Sequence, residues 1–310
     1  MKGVVDFMSK DFGKIITAMV TPLNRNLNLD LEAIAPLVKH LEATGTNTLV
    51  LAGTTGEGPT VEDFEKLELL REVYKQKSPA TKIIMNVGTN NTKETVNSAA
   101  KWSANEMVDG IMVVCPYYNK PSQLGLYKHF EAVNDVVDKP IMVYHIPGRT
   151  NVTMNAETMV KVAKLSNVTM LKDAEGDLKK LQDVIQQTKG QWDVYSGDDP
   201  ALYDYLAIGS KGIVSVASHV IGEAITSLIA ANDQGAQDSA KDIQKFVGEV
   251  SQQLFPPFSP NPVPVKYVLS EMDLLKEYVR LPLTELTEEE KGKVSKVLIR
   301  QQVLKSKAFH

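Results

Sequence analysis

The 310-residue sequence predicts an α/β fold, a (β/α)8 TIM barrel that carries a small C-terminal helical domain. Three observations support this prediction. Short apolar runs alternate with stretches of helical periodicity. Most of the runs are apolar at nearly every position, as expected for parallel strands that are covered on both faces. The strand signals stop after Val220. A flat, doubly wound sheet is an alternative, but eight strand–helix units over about 230 residues fit a barrel better.

The strands come from the apolar runs, each bounded by residues typical of turns. The predicted strands span residues 15–20, 48–52, 82–87, 110–115, 140–144, 168–172, 192–196 and 212–216.

The first helix shows apolar residues at i, i+3, i+4 and i+7, namely Ile34, Leu37, Val38 and Leu41, which marks one buried helical face. Because Pro36 fits poorly inside a helix, we expect this helix to begin later than Asp30 suggests or to kink. The inward faces of the next two helices, after Thr60 and after Thr92, are predicted to consist of Phe64, Leu67 and Leu70, and of Val96, Ala99, Ala100 and Ser103. Further helices are predicted at residues 123–137, 155–165, 178–187 and 200–208.

The region after the last strand reads as helical. Helices are predicted at residues 224–255, 267–274 and 288–305, with a proline-rich loop from Pro256 to Pro264. We therefore expect two domains, the catalytic barrel at residues 1–233 and the helical appendage at residues 234–310.

Composition excludes several classes of function. A net charge of −4 leaves no basic footprint for nucleic acid or for an anionic membrane. No apolar run approaches the ~20 residues of a membrane span, and Asp6, Lys10 and Asp11 interrupt any signal-peptide core. Because Cys115 is the only cysteine, there is no disulfide framework, which is consistent with a cytoplasmic protein. The scattered histidines and the lack of a dinucleotide fingerprint predict neither a metal nor a cofactor.

Lys172 is the main candidate for chemistry. It shares strand parity with Val168 and Met170, so its amine should end an apolar face. Burial lowers the pKa of a lysine, and a neutral amine can form a Schiff base with a carbonyl compound. The alternative is that Lys172 pairs with Asp173 or Glu175 and has no chemical role.

The next candidates follow the preceding strand. Tyr144 should face the barrel mouth beside Lys172, because neighbouring strands lie ~4.8 Å apart. A phenol there could carry protons to and from a carbinolamine. Arg149 could hold a carboxylate with a bidentate fork, although a surface salt bridge is the simpler interpretation.

Other strand ends offer further polar groups. The turn at residues 53–57 (GTTGE) could bind a carboxylate through backbone N–H groups, or it could be a plain strand–helix turn. Tyr117 and Tyr118 lie between prolines on a rigid loop, where they could instead cover the barrel edge or an interface. Asp198 and Asp199, after the seventh strand, argue against a phosphorylated substrate.

Several separated motifs occur in an order that resembles a known family, the pyruvate-dependent class I aldolases that include dihydrodipicolinate synthase and N-acetylneuraminate lyase. The similarity runs from about Ile16 to Leu269. The motifs are TAMVTP (17–22), GTTGE (53–57), PYYNKP (116–121), YHIPGRT (144–150), KDAEGD (172–177) and NPVPVK (261–266).

The resemblance implies roles for the candidate residues. Lys172 corresponds to the lysine that captures pyruvate as a Schiff base, and Tyr144 to the acid/base phenol beside it. Thr54 and Tyr118 correspond to the other members of a proton relay, with Tyr118 reaching in from a neighbouring subunit. No cofactor is implied, and the expected assembly is a homotetramer built as a dimer of dimers.

The resemblance also implies how the substrates are held. Gly53 and Thr55 lie in the loop that holds the carboxylate of pyruvate, and Arg149 corresponds to the residue that holds the carboxylate of L-aspartate 4-semialdehyde. Val214 occupies the position whose main-chain carbonyl lines the site. The implied reaction condenses the two substrates to 4-hydroxy-tetrahydrodipicolinate, in diaminopimelate and lysine biosynthesis.

Two alternatives remain at this stage. The first is another aldolase of the family, such as N-acetylneuraminate lyase or a 2-keto-3-deoxy-sugar-acid aldolase. Thr55 and Arg149 favour the synthase, because the lyase branch typically has GSTGE at the first motif and lacks the arginine. The second is a barrel that binds a keto acid without turnover, against which a complete proton relay argues.

The sequence also departs from the family. His145 stands where asparagine is common, and Glu175 where a small hydroxyl residue is common. We expect Glu175 to point away from Lys172, since an inward carboxylate would raise the pKa of the amine. In the region where some relatives bind the inhibitor lysine, which includes Gly58, Pro59 and Asp63, Lys66 adds a positive charge, which predicts weak or no inhibition.

Overall fold

A closed barrel of eight parallel strands forms the centre of the computed structural model, which describes residues 11–296. Each strand pairs with its neighbours in the sequence, and the last pairs with the first. The predicted (β/α)8 barrel is therefore confirmed. Its strands are β1 (Ile15–Ala18), β2 (Thr48–Leu51), β3 (Lys82–Asn86), β4 (Gly110–Val114), β5 (Ile141–His145), β6 (Val168–Asp173), β7 (Asp193–Ser196) and β8 (Gly212–Ser215).

Helices surround the barrel and follow its last strand. They are α1 (Ile34–Ala43), α2 (Asp63–Gln76), α3 (Thr92–Ser103), α4 (Gln123–Asn134), α5 (Pro147–Thr150), α6 (Ala156–Val162), α7 (Leu178–Gln187), α8 (Leu202–Ala207), α9 (Ser218–Asp233), α10 (Gln237–Leu254), α11 (Val263–Glu271) and α12 (Glu288–Val294). None of the helices within residues 11–296 is long and apolar enough to cross a membrane.

Two apolar layers explain why the strands are apolar at both parities. Inside the barrel, one cluster includes Ile16, Val50, Ile84, Met142 and Met170. The residues of opposite parity pack outward against the helices in a second, larger cluster. Both faces of each strand are thus covered, as in parallel sheets generally. The strand ends that project beyond the inner cluster are left to form the site.

The first helix begins at Ile34, which is later than Asp30 suggests, as expected from the position of Pro36. Pro36 lies in its first turn, where a missing N–H group breaks no helical hydrogen bond. The helix therefore needs no kink at this proline.

Two predicted helix faces were partly wrong. In α2 the buried apolar residues are Leu69, Leu70 and Val73, whereas Phe64 is 61% exposed. At about 100° per residue, Phe64 lies about half a turn around the helix from Val73. Likewise Ala100 of α3 is exposed, because it projects away from the face that contains Ala99 and its buried neighbours.

The C-terminal region differs from its prediction in two places. The helix predicted at residues 224–255 is interrupted at Gly235, whose φ of 73° ends α9 before α10 begins and packs along it. The helix predicted from residue 267 begins at Val263, because Pro264 is tolerated in a first turn. The predicted start at Glu288 is confirmed, with Thr287 as its cap. The predicted extension of this last helix to residue 305 lies outside the described residues. Most of the N-terminal segment, which was predicted not to be a signal peptide, lies outside them too.

Candidate active site

A cavity of about 340 Å³ lies at the carboxyl ends of β2 to β5. Four of the predicted site residues line it, namely Gly53, Thr54, Tyr144 and Arg149. Tyr117, whose role the sequence left open, lines it too. The C-terminal region closes another part of the wall through Pro260, Asn261, Pro282 and Leu283. The volume suits one or two small metabolites.

Lys172 and Tyr144 lie side by side at this end of the barrel. They are register partners on β6 and β5, and the Lys172 Nζ atom is 4.1 Å from the centroid of the Tyr144 ring. Only 5% of Lys172 is exposed. Lys172 does not line the cavity itself, because the Tyr144 phenol, which does, lies between the amine and the open space. The predicted meeting of amine and phenol is therefore found in the structure.

The surroundings of Lys172 favour a neutral amine. The pKa of Lys172 is lowered to about 8, chiefly by burial; the carboxylate of Asp199 opposes this effect, and the positive charge of Arg149 adds to it. An amine with such a pKa is neutral in a substantial fraction of molecules near pH 8. Its expected alternative partners are engaged elsewhere, since Asp173 accepts hydrogen bonds from His145 and Tyr205, and Glu175 pairs with Lys180.

Tyr144 is held in its protonated form. Burial raises the pKa of Tyr144 to about 12, with the Arg149 charge and the Thr54 side chain acting in the opposite direction. Its hydroxyl proton is therefore present at neutral pH, where it can be delivered to a leaving oxygen. Thr54 lines the same cavity and is suitably placed to exchange a proton with it.

The loop after β2 is held by groups far away in the sequence. Thr55 is 2% exposed, and its Oγ1 atom accepts a hydrogen bond of 2.9 Å from Asn261 Nδ2. Glu57 adopts a left-handed conformation, with φ of 52°, and its Oε1 atom lies 2.6 Å from Lys266 Nζ. The predicted turn is thus more than a plain connection, because the C-terminal region is bound to it.

The remaining predicted residues take different positions. Val214 is 1% exposed and packs in the inner cluster with Tyr144. Tyr118 is 86% exposed, with φ of 71°, and does not line the cavity of its own chain. Within one chain, Lys172, Thr55 and Val214 are thus buried next to residues that line the cavity, whereas Tyr118 lies outside it.

The family departures His145 and Glu175 take part in a polar network behind the site. His145 Nδ1 lies 2.7 Å from Asp173 Oδ1, and Tyr205 donates a hydrogen bond of 2.7 Å to Asp173 Oδ2. The other ring nitrogen of His145 accepts from the Met154 N–H group at 3.0 Å. Although His145, Asp173 and Glu175 present donor atoms within 4.8 Å of one another, both nitrogens of the histidine are occupied. This network holds β5 and β6 together and offers no free ligand set.

Sequence reasoning missed Asn261 and undervalued Asp199. The NPVPVK motif by itself predicts no role for Asn261. Asp199 is buried, accepts hydrogen bonds of 3.1 Å from the N–H groups of Val216 and Ala217, and bonds to the Ser215 hydroxyl. It acts on the charge of Lys172, although the sequence suggested only its effect on phosphate.

Comparisons with known proteins identify the family of the chain. The family model of the dihydrodipicolinate synthetase family matches residues 11–301. A relative from Oceanobacillus iheyensis, 4-hydroxy-tetrahydrodipicolinate synthase, is 41% identical over 288 residues, which cover 93% of this chain and 97% of the relative. The chain belongs to the dihydrodipicolinate synthetase family.

Solved structures of this family have the same fold. The crystal structure of dihydrodipicolinate synthase from Bacillus anthracis matches with a TM-score of 0.89 and 41% identity, covering 93% of this chain and 98% of that one. The enzyme from Cyanidioschyzon merolae, crystallised with lysine bound, matches with a TM-score of 0.90 and 35% identity, covering 94% and 99%. These matches confirm the predicted family and favour the synthase over the sugar-acid aldolases.

Proposed function

We propose that the chain condenses pyruvate with L-aspartate 4-semialdehyde to 4-hydroxy-tetrahydrodipicolinate, a reaction of diaminopimelate and lysine biosynthesis. The observation that carries the proposal is the buried Lys172 amine beside the protonated phenol of Tyr144. Membership of a family whose relatives are named as this synthase supports it further.

The chemistry begins with capture of pyruvate. The neutral Lys172 amine attacks the ketone carbon and forms a carbinolamine, which loses its hydroxyl group as water when Tyr144 supplies a proton. The resulting imine loses a proton from the methyl carbon and becomes an enamine. Burial of the amine favours this sequence, because the attacking form is the uncharged one.

The second half joins the two substrates. The enamine carbon attacks the aldehyde carbon, whose oxygen takes up a proton. The amino group of the second substrate then attacks the imine carbon, so that a six-membered ring closes and the Lys172 amine is released. The enzyme ends as it began, and one water has been lost overall.

The other predicted residues bind and shuttle protons in this scheme. Thr54 and the Tyr118 of a neighbouring subunit complete the relay with Tyr144. Gly53 and Thr55 hold the carboxylate of pyruvate, Arg149 holds that of the semialdehyde, and the Val214 carbonyl lines the site. The high exposure of Tyr118 supports its use by another subunit.

The proposal extends to assembly and location. The expected homotetramer would place the exposed Tyr118 loop at a subunit contact. A single, buried and unpaired cysteine, Cys115, supports a reducing cytoplasm. The division into a barrel at residues 1–233 and an appendage at residues 234–310 follows the end of α9 at Asp233.

Borohydride reduction in the presence of pyruvate tests the central step. We expect a covalent adduct that peptide mass mapping places on Lys172, and no adduct in the Lys172→Ala variant. Label on a different lysine, or no label, would overturn the assignment. Coupled assays with L-aspartate 4-semialdehyde, N-acetylmannosamine and sugar-derived aldehydes separate the synthase from the aldolases, and a protein that traps pyruvate but turns over none of them is a binder.

A further inference from the structure

The C-terminal region forms polar contacts with the loop at residues 53–57 at two distinct points. At the first, Glu57 is bound by Lys266 Nζ at 2.6 Å and by the Arg280 N–H group at 2.8 Å. The side chains of Lys266 and Glu57 are 0% and 2% exposed. Since both carboxylate oxygens of Glu57 have a partner, this first contact is sufficient by itself to hold the loop against the C-terminal region.

The second point is Asn261, which touches Thr55. Its Nδ2 atom donates the hydrogen bond of 2.9 Å to Thr55 Oγ1. Its Oδ1 atom is buried and has no hydrogen-bond partner among residues 11–296. Of the buried polar side-chain atoms in that state, it alone belongs to a residue that lines the cavity. Because an unpaired buried acceptor costs free energy, packing does not account for an amide in this position.

The direction of the hydrogen bond decides what Thr55 can do. A hydroxyl group has one proton to donate and two lone pairs with which to accept. When Thr55 Oγ1 accepts from Asn261, its own proton is not used in that contact and is free to point elsewhere. An anionic carboxylate is the acceptor that gains most from such a donor.

We propose that Asn261 is a positioning residue that orients the Thr55 hydroxyl towards the carboxylate of pyruvate. The inference rests on the proposed function, because it takes Thr55 as the pyruvate-binding residue. The NPVPVK segment at residues 261–266 thereby gains two separable roles. Lys266 holds the loop in place, and Asn261 sets the direction of one hydrogen bond within it.

Asn261→Asp gives the sharpest test, because aspartate has the same shape but cannot donate. The Thr55 hydroxyl would then donate to the aspartate and turn away from pyruvate, whose carboxylate would also face a new negative charge. We expect the KM for pyruvate to rise about tenfold or more, which is the scale of a charge-assisted hydrogen bond, with a smaller change in kcat. A pyruvate KM within twofold of the wild type would overturn the proposal.

A double-mutant cycle tests whether Asn261 acts through Thr55. Asn261→Ala and Thr55→Val should each raise the pyruvate KM, and the double variant should be no worse than Thr55→Val alone. Independent, multiplying effects would show that Asn261 does not work through that hydroxyl. Because the positioning affects pyruvate, the KM for the semialdehyde should change less than twofold in Asn261→Ala.

Two controls separate positioning from folding and from failure of the proposed function. Ser259→Ala changes a buried residue two positions before Asn261 that does not line the cavity, and it should keep the wild-type pyruvate KM. Borohydride trapping at saturating pyruvate should still label Lys172 in Asn261→Ala. If the wild type does not trap pyruvate, the proposed function fails; if it traps pyruvate and Asn261→Asp binds it normally, only the positioning role fails.

Discussion

Among single residues, the charge of Lys172 results from competing neighbours. Burial and the Arg149 guanidinium lower its pKa, whereas the buried carboxylate of Asp199 raises it. Asp199 remains acceptable in the interior because backbone N–H groups of Val216 and Ala217 bind it. The charge of Asp199 thus favours the cationic form of Lys172, while burial and Arg149 favour the neutral form.

The first prediction concerns pH. In the proposed mechanism only the neutral Lys172 amine attacks pyruvate, so kcat/KM for pyruvate should rise with pH up to about 8 and level off above it. Arg149→Met removes a charge that lowers the pKa of Lys172, so the rise should move to higher pH. A pH profile of trapping rates in both proteins measures this, and an acid shift in Arg149→Met would contradict the assigned cause.

The second prediction concerns the recognition of the semialdehyde. Arg149→Ala should lower kcat/KM for L-aspartate 4-semialdehyde about a hundredfold, because a charge-assisted bidentate contact is lost. Lys172 should still be labelled by borohydride at saturating pyruvate. Arg149→Lys is the matched control and should recover part of the loss, since it restores the charge without the planar fork. Equal losses of kcat/KM in Arg149→Ala and Arg149→Lys would mean that the bidentate geometry of the guanidinium, and not its charge, accounts for the recognition.

The third prediction concerns inhibition by lysine. Lys66 Nζ lies 3.6 Å from Asp63 Oδ1, but Asp63 already binds Lys101 at 2.7 Å, so it offsets the charge of Lys66 only in part. A cationic effector should therefore bind weakly there. Lys66→Met should strengthen inhibition in an initial-rate assay with added lysine. Sub-millimolar inhibition of the wild type would contradict the prediction.

At the scale of elements, β5 and β6 present the chemistry on one face and are joined on the other. Tyr144 pairs in register with Lys172, and the next pair, His145 and Asp173, faces the opposite way. The hydrogen bond between His145 and Asp173, with Tyr205 as a third member, fixes the relative position of the two strands at the point where Tyr144 and Lys172 emerge.

The fourth prediction tests this connection. Asp173→Ala leaves buried His145 and Tyr205 groups without an acceptor and should destabilise the fold by about 2–4 kcal/mol. Tyr205→Phe removes one hydrogen bond and should cost about 1 kcal/mol. Urea unfolding of both variants measures the difference. If Asp173→Ala were as stable as Tyr205→Phe, the carboxylate would not be the centre of the network.

The strands were predictable from sequence because burial on both faces leaves an apolar run, as in Gly110–Val114. The candidates Lys172 and Tyr144 were also predictable, since strand parity places both at the barrel mouth. Helix faces were less predictable. Phe64 fits the helical spacing of the predicted inward face, but it lies on the exposed side of its helix. Asn261 required the structure, since it meets Thr55 across a separation of 206 residues that local patterns do not encode.

Across the whole molecule, the site draws on distant parts of the chain. Strands β5 and β6 supply Tyr144 and Lys172, whereas the C-terminal region supplies Asn261 and the cavity wall at Pro282 and Leu283. The exposed Tyr118 remains outside the cavity of its own chain. Under the proposed function, a second copy of the chain would complete this site with its Tyr118, and activity would then depend on assembly.

Subunit complementation tests this dependence. Lys172→Ala and Tyr118→Phe should each have little activity alone. In a mixed dimer, the Tyr118→Phe subunit keeps its lysine and receives an intact Tyr118 from its Lys172→Ala partner, so one of its two sites is complete. Random mixing of such dimers should restore about a quarter of wild-type activity. Mixtures no more active than the two parents would mean that Tyr118 serves only its own chain, or that the phenol has no part in the reaction.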